Sequence, residues 1–223
     1  MDRPERWRGT IGRLHVIISE SLGGVTGSRP RFTSLELAAA ALRGGADTIQ
    51  YRRKRGDYGG WLEEARGVAE LCRAFGVPLI INDHLQLCLD ACADGLHLGL
   101  TDMPVAEARR ILGPEKIIGG TARTIEHIRA AAADGADYVG FGPVWATGSK
   151  SIDDPVRGID HLRAVAHESP IPVIAIGGIN IERAARAIEA GAHGVAVIGV
   201  VAGAEDPEGV VRGLWGAIEN SHS

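Results

Sequence analysis

Short runs of aliphatic and β-branched residues alternate along the chain with longer stretches whose apolar positions recur at helical spacing. The short runs are Leu14–Ile18, Thr48–Arg52, Pro78–Asn82, Gly95–Leu98, Lys116–Gly120, Tyr138–Gly142, Pro172–Ile176 and Gly194–Ile198. Each reads as a strand, and each is followed by a predicted helix. The helices fall at Ser34–Gly44, Trp61–Phe75, Leu85–Cys92, Val105–Leu112, Ile125–Asp134, Ile159–His167, Ile181–Ala190 and Pro207–Glu219. Ser34 is the expected N-cap of the first helix. Strict alternation calls for a parallel sheet with helical crossovers. Eight such units in about 210 residues predict a closed barrel rather than an open sheet. The expected architecture is α/β, a single-domain (β/α)8 TIM barrel over residues 13–220, preceded by a polar extension at 1–12.

Glycine supports this pattern. The chain has 31 glycines in 223 residues, about twice the usual share, and they cluster at junctions between elements. Gly44-Gly45-Ala46-Asp47, Gly135-Ala136-Asp137 and Gly191-Ala192-His193-Gly194 each stand between a helix and the next strand. Glycine at such a place is expected to end the helix with a positive φ. Two loops are long, residues 19–33 after the first strand and 143–157 after the sixth. Both follow the C-terminal ends of strands, where barrels of this kind build their sites.

The net charge of −4 argues against a generic nucleic-acid binder. No apolar stretch approaches the length of a membrane span, and the start of the chain lacks a signal-peptide core. The cytoplasm is the expected location. Cys72, Cys88 and Cys92 are odd in number and lie in predicted helices, which argues against a disulfide framework. They are expected to be buried free thiols, with Cys88 and Cys92 on one helix face.

The candidate chemistry lies at the strand ends. Strand alternation turns Gln50, Arg52 and Lys54 the same way, toward the barrel mouth. An amide and two cations suit a phosphorylated ligand, although a solvated basic turn over 52–55 gives the same pattern. Asn82-Asp83 ends strand three, and Asp102 follows strand four. Two acids beside a cationic cluster suit Mg²⁺ shared with substrate phosphates; taken singly, each suits helix capping. His97 on strand four reads as a hydrogen-bonded core histidine. Thr147, Ser149 and Lys150 place hydroxyls and a cation on a glycine-containing loop without Walker spacing. Gly177-Gly178 after strand seven and Ile198-Gly199 after strand eight are expected to bind phosphate through backbone N–H groups. A Ser-His-Asp set and a close glycosidase carboxylate pair are missing. Two anion sites and a metal site suit departure of a diphosphate.

The chain resembles thiamine phosphate synthases over roughly residues 13–208. The resemblance rests on Gln50-x-Arg-x-Lys54, Asn82-Asp83, Gly95-Leu-His-Leu-Gly-Leu-Thr-Asp102, Gly142-Pro-Val-Trp-Ala-Thr-Gly-Ser-Lys150 and Gly177-Gly-Ile-Asn180. It implies a Mg²⁺-dependent transferase. Such an enzyme couples hydroxymethylpyrimidine diphosphate to a thiazole phosphate, or its carboxylated form, and releases pyrophosphate by a dissociative route. By the same resemblance Gln50 contacts the pyrimidine, and Arg52, Lys54, Asn82 and Lys150 hold the diphosphate, near Thr121. Asp83 and Asp102 bind Mg²⁺. Thr147 and Ser149 serve the thiazole loop, and Gly178, Ile198 and Gly199 hold its phosphate. Arg52, Lys54 and Lys150 are the expected catalytic groups. Small molecules are the expected partners, with neither nucleic acid nor membrane, and a homo-oligomer is a family expectation. The chain departs from the family pattern at Leu100, Thr121, Arg123, Ser149 and Gly199. The alternatives are a thiazole tautomerase-like isomerase, a non-catalytic thiazole-phosphate-binding or regulatory paralogue, or another phosphate-binding barrel enzyme.

Overall fold

The computed structural model describes residues 11–19, 31–147 and 155–221. Eight parallel strands close into a barrel in sequence order, the last pairing with the first. They are β1 (Leu14–Ser19), β2 (Thr48–Arg52), β3 (Leu79–Asn82), β4 (Gly95–Leu98), β5 (Ile117–Ala122), β6 (Tyr138–Phe141), β7 (Val173–Ile176) and β8 (Gly194–Val197). The helices between them are α1 (Ser34–Arg43), α2 (Tyr58–Phe75), α3 (Leu85–Asp90), α4 (Val105–Leu112), α5 (Ile125–Ala133), α6 (Ile159–Glu168) and α7 (Ile181–Glu189). A single turn, α8 (Gly199–Ala202), follows β8, and α9 (Pro207–Asn220) closes the ring. None of the described helices is long and apolar enough to cross a membrane.

Two apolar layers result from strand alternation. Ile49, Tyr51, Leu79, Ile81 and their counterparts face the helices. Ile17, Ile80, Ile117, Tyr138 and Ile174 fill the lumen. The acids at the junctions Gly45-Ala46-Asp47, Cys92-Ala93-Asp94 and Gly135-Ala136-Asp137 now have a physical role. Asp47, just before β2, accepts from the amide of Leu14 at 2.9 Å, at the start of β1. Asp94, before β4, accepts from Leu79 of β3 at 3.0 Å, and Asp137, before β6, from Ile118 of β5 at 2.8 Å. Each acid satisfies an amide at the beginning of the preceding strand, where the ladder has no partner for it. Ahead of Asp47 and Asp137 the glycines adopt the expected positive φ, 100° at Gly45 and 91° at Gly135.

Some local expectations are corrected. The N-cap of α1 is Thr33 rather than Ser34. Thr33 and Glu36 form a reciprocal capping box, a device whose hydroxyl alone is worth about 1 kcal/mol. Ser34 turns inward to Arg53 and Glu64. Cys72 and Cys88 are buried free thiols, but Cys92 is exposed. It lies beyond the end of α3 with a φ of 52°, so it does not share a helix face with Cys88.

Candidate active site

The alternation of β2 decides which of its basic residues reach the mouth. Tyr51 and Arg53 point to the helix layer, where Arg53 Nη2 pairs with Glu64 of α2 at 2.8 Å. Gln50, Arg52 and Lys54 point the other way and line a cavity of about 420 Å³ at the C-terminal ends of the strands. The same cavity is walled by Asn82, Asp83, Asp102, Thr121, Arg123 and Ile198. Six of the residues expected at the diphosphate and metal sites (Arg52, Lys54, Asn82, Asp83, Asp102 and Thr121) therefore meet in one space. The basic segment divides by function: Arg53 braces the fold and its neighbours face the site.

The two acids are held in different ways. Asp83 has a φ of 65°, a left-handed conformation that a non-glycine residue adopts only when its surroundings impose it. Its amide donates to the His97 carbonyl at 2.8 Å, tying the end of β3 to β4. Its carboxylate, 11% exposed, is in contact with Nζ of Lys54, which reaches over it from solvent. Asp102 folds back to accept from the Gly99 amide at 2.7 Å. Neither acid caps a helix, because His84 and Pro104 occupy the N-cap positions of α3 and α4. Burial and the adjacent Asp83 carboxyl push the Asp102 carboxyl above its ordinary range, against the pull of the Gly99 amide and Lys54. Two mutually repelling carboxylates at a rim are oxygen donors placed for a hard divalent cation. Among the described residues no set of three or more His, Cys, Asp or Glu forms a metal cluster.

A second recess, about 80 Å³, adjoins the first and shares Ile176 and Ile198 with it. Thr147, Gly177, Gly178 and Gly199 line it. Gly178 has a φ of 66°, and a Cβ there would lie 2.6 Å from the Ala146 carbonyl oxygen and 2.8 Å from Trp145 Cβ. Only glycine lets the β7 and β6 loops close together. Gly199 and Val200, at the opening of α8, border this recess. Asn180 is the N-cap of α7, accepting from the Arg183 amide at 2.8 Å. Ser149 and Lys150 lie outside the described residues, as does most of the 19–33 loop.

A family model described as thiamine monophosphate synthase matches residues 22–201. The chain belongs to the thiamine monophosphate synthase family. It is 46% identical over 216 residues to the thiamine-phosphate synthase of Salinibacter ruber, covering 97% of this chain and 92% of the relative. The corresponding enzyme of Moorella thermoacetica is 45% identical over 201 residues, covering 90% and 93%. Among solved structures, a thiamine phosphate pyrophosphorylase from Pyrococcus furiosus superposes with a TM-score of 0.82 at 32% identity, covering 95% and 97% of the two chains. The family resemblance seen in the motifs and the barrel predicted from alternation agree with these matches.

Two features of this family member were not among the expected site residues. Arg123 lines the main cavity, adding a cation to the wall beyond β5. Tyr138 fills the lumen beneath that cavity and reaches His97 and Gln50. The signal for Arg123 was its place two residues after Thr121 on one strand end. Tyr138 had none, since an aromatic in a strand reads as core.

Proposed function

We propose that the chain joins hydroxymethylpyrimidine diphosphate to a thiazole phosphate, giving thiamine phosphate and pyrophosphate. One observation carries the reading: a cavity walled by paired acids and cations adjoins a glycine-lined recess, the two sharing Ile176 and Ile198. Substrates bearing a diphosphate and a monophosphate need such a pair of adjoining sites. Arg52 and Lys54, with Lys150, receive the diphosphate, and Gln50 orients the pyrimidine. Gly178 and the Ile198-Gly199 turn receive the monophosphate through backbone N–H groups. Asp83 and Asp102 fit Mg²⁺, which when bound neutralises charge on a leaving diphosphate.

The carbon–oxygen bond to the diphosphate breaks, and its electron pair leaves with the oxygen. Arg52 and Lys54 stabilise the charge that collects there, and they are already in place before it forms. The aminopyrimidine ring stabilises the methylene cation. The thiazole nitrogen attacks with its own lone pair, so no protein base is required.

The test is incubation with both substrates and Mg²⁺, following pyrophosphate and thiamine phosphate. Equal release of both, abolished by EDTA, supports the proposal. Thiazole isomerisation without diphosphate consumption would instead identify a tautomerase, and ligand binding without turnover a non-catalytic paralogue.

A further inference from the structure

Three consecutive strands set one line of side chains across the lumen. In register, His97 of β4 pairs with Gly119 of β5, and Gly119 pairs with Tyr138 of β6. A Cβ at position 119 would overlap the Tyr138 ring and lie 2.6 Å from His97 Nδ1. At Gly140 it would lie 3.3 Å from His97 Cε1. These glycines make room for the imidazole and the phenol to meet.

His97 Nδ1 stands 3.1 Å from the Tyr138 hydroxyl, and Nε2 stands 3.1 Å from Thr121 Oγ1. Thr121 also walls the main cavity, in company with Arg52 and Lys54. A neutral imidazole has one donor and one acceptor, so one of its two hydroxyl partners donates and the other accepts. A phenol is far more acidic than an aliphatic alcohol and is the better donor. The direction that follows runs from Tyr138 to His97 to Thr121.

We propose that His97 is a positioning residue for the reaction: it accepts from Tyr138 O–H at Nδ1 and donates from Nε2–H to Thr121 Oγ1. The Thr121 proton is thereby committed to the cavity, aimed at a diphosphate oxygen. This rests on the reading of that cavity as a diphosphate site. An anionic oxygen only accepts hydrogen bonds, so a hydroxyl left free to rotate would spend part of its time presenting lone pairs to it. With its oxygen already engaged as an acceptor, Thr121 meets the developing charge without reorganising. The residue that orients Thr121 need not touch substrate.

The first test needs neither substrate nor activity. In the intact chain labelled with ¹⁵N-histidine, with His97 assigned by difference against His97→Asn, the ring proton is expected on Nε2. A proton on Nδ1 overturns the proposal. The second test is kinetic, with thermal midpoints confirming that the variants fold. His97→Phe and Thr121→Val are each expected to lower kcat about tenfold, roughly the value of one hydrogen bond to a charged group. The double variant is expected to lose no more than about threefold beyond the worse single, because His97 acts through Thr121. Thr121→Ser, with its hydroxyl intact, recovers most of what Thr121→Val loses. Losses that multiply in the double variant overturn the proposal. A wild-type chain that releases no pyrophosphate defeats the diphosphate reading instead, and the tautomer still decides the direction of the hydrogen bonds.

Discussion

Arg52 and Arg53 are neighbours in the chain and belong to opposite sides of the barrel wall. Arg52 lines the mouth cavity, where its Nη1 donates to Ser19 Oγ at 3.3 Å. Arg53, 8% exposed, lies over the Tyr51 ring at 4.6 Å and donates from Nε to Glu64 at 3.0 Å. Tyr51 donates to the same Glu64 oxygen at 2.7 Å. Removing Glu64 takes the carboxylate from a buried guanidinium that still donates to Ser34 and to the carbonyls of Ile18 and Arg52, a loss of about 2 kcal/mol. Glu64→Ala is therefore expected to lower the denaturation midpoint sharply. Arg52→Ala is expected to leave stability within about 0.5 kcal/mol and to remove most pyrophosphate release. Urea melts read beside initial rates separate the two arginines.

The family resemblance assigns Lys150 to the proposed diphosphate site. Lys150→Ala is expected to cut turnover at least tenfold, about 1.4 kcal/mol of barrier or more, with the thermal midpoint unchanged. Initial rates at saturating substrates give the comparison. An unchanged rate would remove this lysine from the site.

The recess at β7 and β8 makes a separable prediction. Gly178→Ala forces a positive φ on a residue with a side chain and presses its Cβ against the Ala146 carbonyl and Trp145. A strained residue of this kind costs on the order of 1–3 kcal/mol. The KM for the thiazole phosphate is expected to rise severalfold, while the KM for the pyrimidine diphosphate changes little. Equal increases in both would place the phosphate elsewhere.

At the opposite end of the barrel, His15 is 1% exposed, with Nε2 donating to the Gly12 carbonyl at 3.0 Å. Burial pushes its pKa from 6.5 down to about 3. The Gly12 carbonyl opposes the shift, and the nearby His97 and His193 add to it. Between pH 6.5 and 3 the unfolded chain takes up a proton that the folded chain refuses. Stability from this group is complete above pH 6.5 and falls as pH drops, by up to about 1.4 kcal/mol per pH unit. His15→Gln is expected to flatten that slope in urea melts at pH 7, 6 and 5. A slope unchanged by the substitution would mean that other groups set the acid sensitivity.

How much of this was legible in the sequence depends on the range of the interaction. Strand limits such as Thr48–Arg52 and Gly95–Leu98 were readable because alternation and glycine junctions are local signals. The shared direction of Gln50, Arg52 and Lys54 followed from the pleat alone. The capping box of Thr33 and Glu36 was present in the chain as Thr-x-x-Glu, but the adjacent Ser34 offers the same hydroxyl. The role of Arg53 depends on Glu64, eleven positions away on the next helix, and no local pattern marks that pairing. The line from His97 through Gly119 to Tyr138 depends on the register of three strands, which the sequence does not display. The single turn α8 is too short to have a period.

The central claim is that Asp83, brought beside Lys54 and Asp102 at the barrel mouth, supports loss of a diphosphate. The most direct measurement is the initial rate of pyrophosphate release by the wild-type chain and by Asp83→Asn across a range of Mg²⁺ concentrations. The expected result is a rate at least tenfold lower in Asp83→Asn, with a higher Mg²⁺ requirement. Equal rates and an equal Mg²⁺ dependence in the two proteins would contradict the claim.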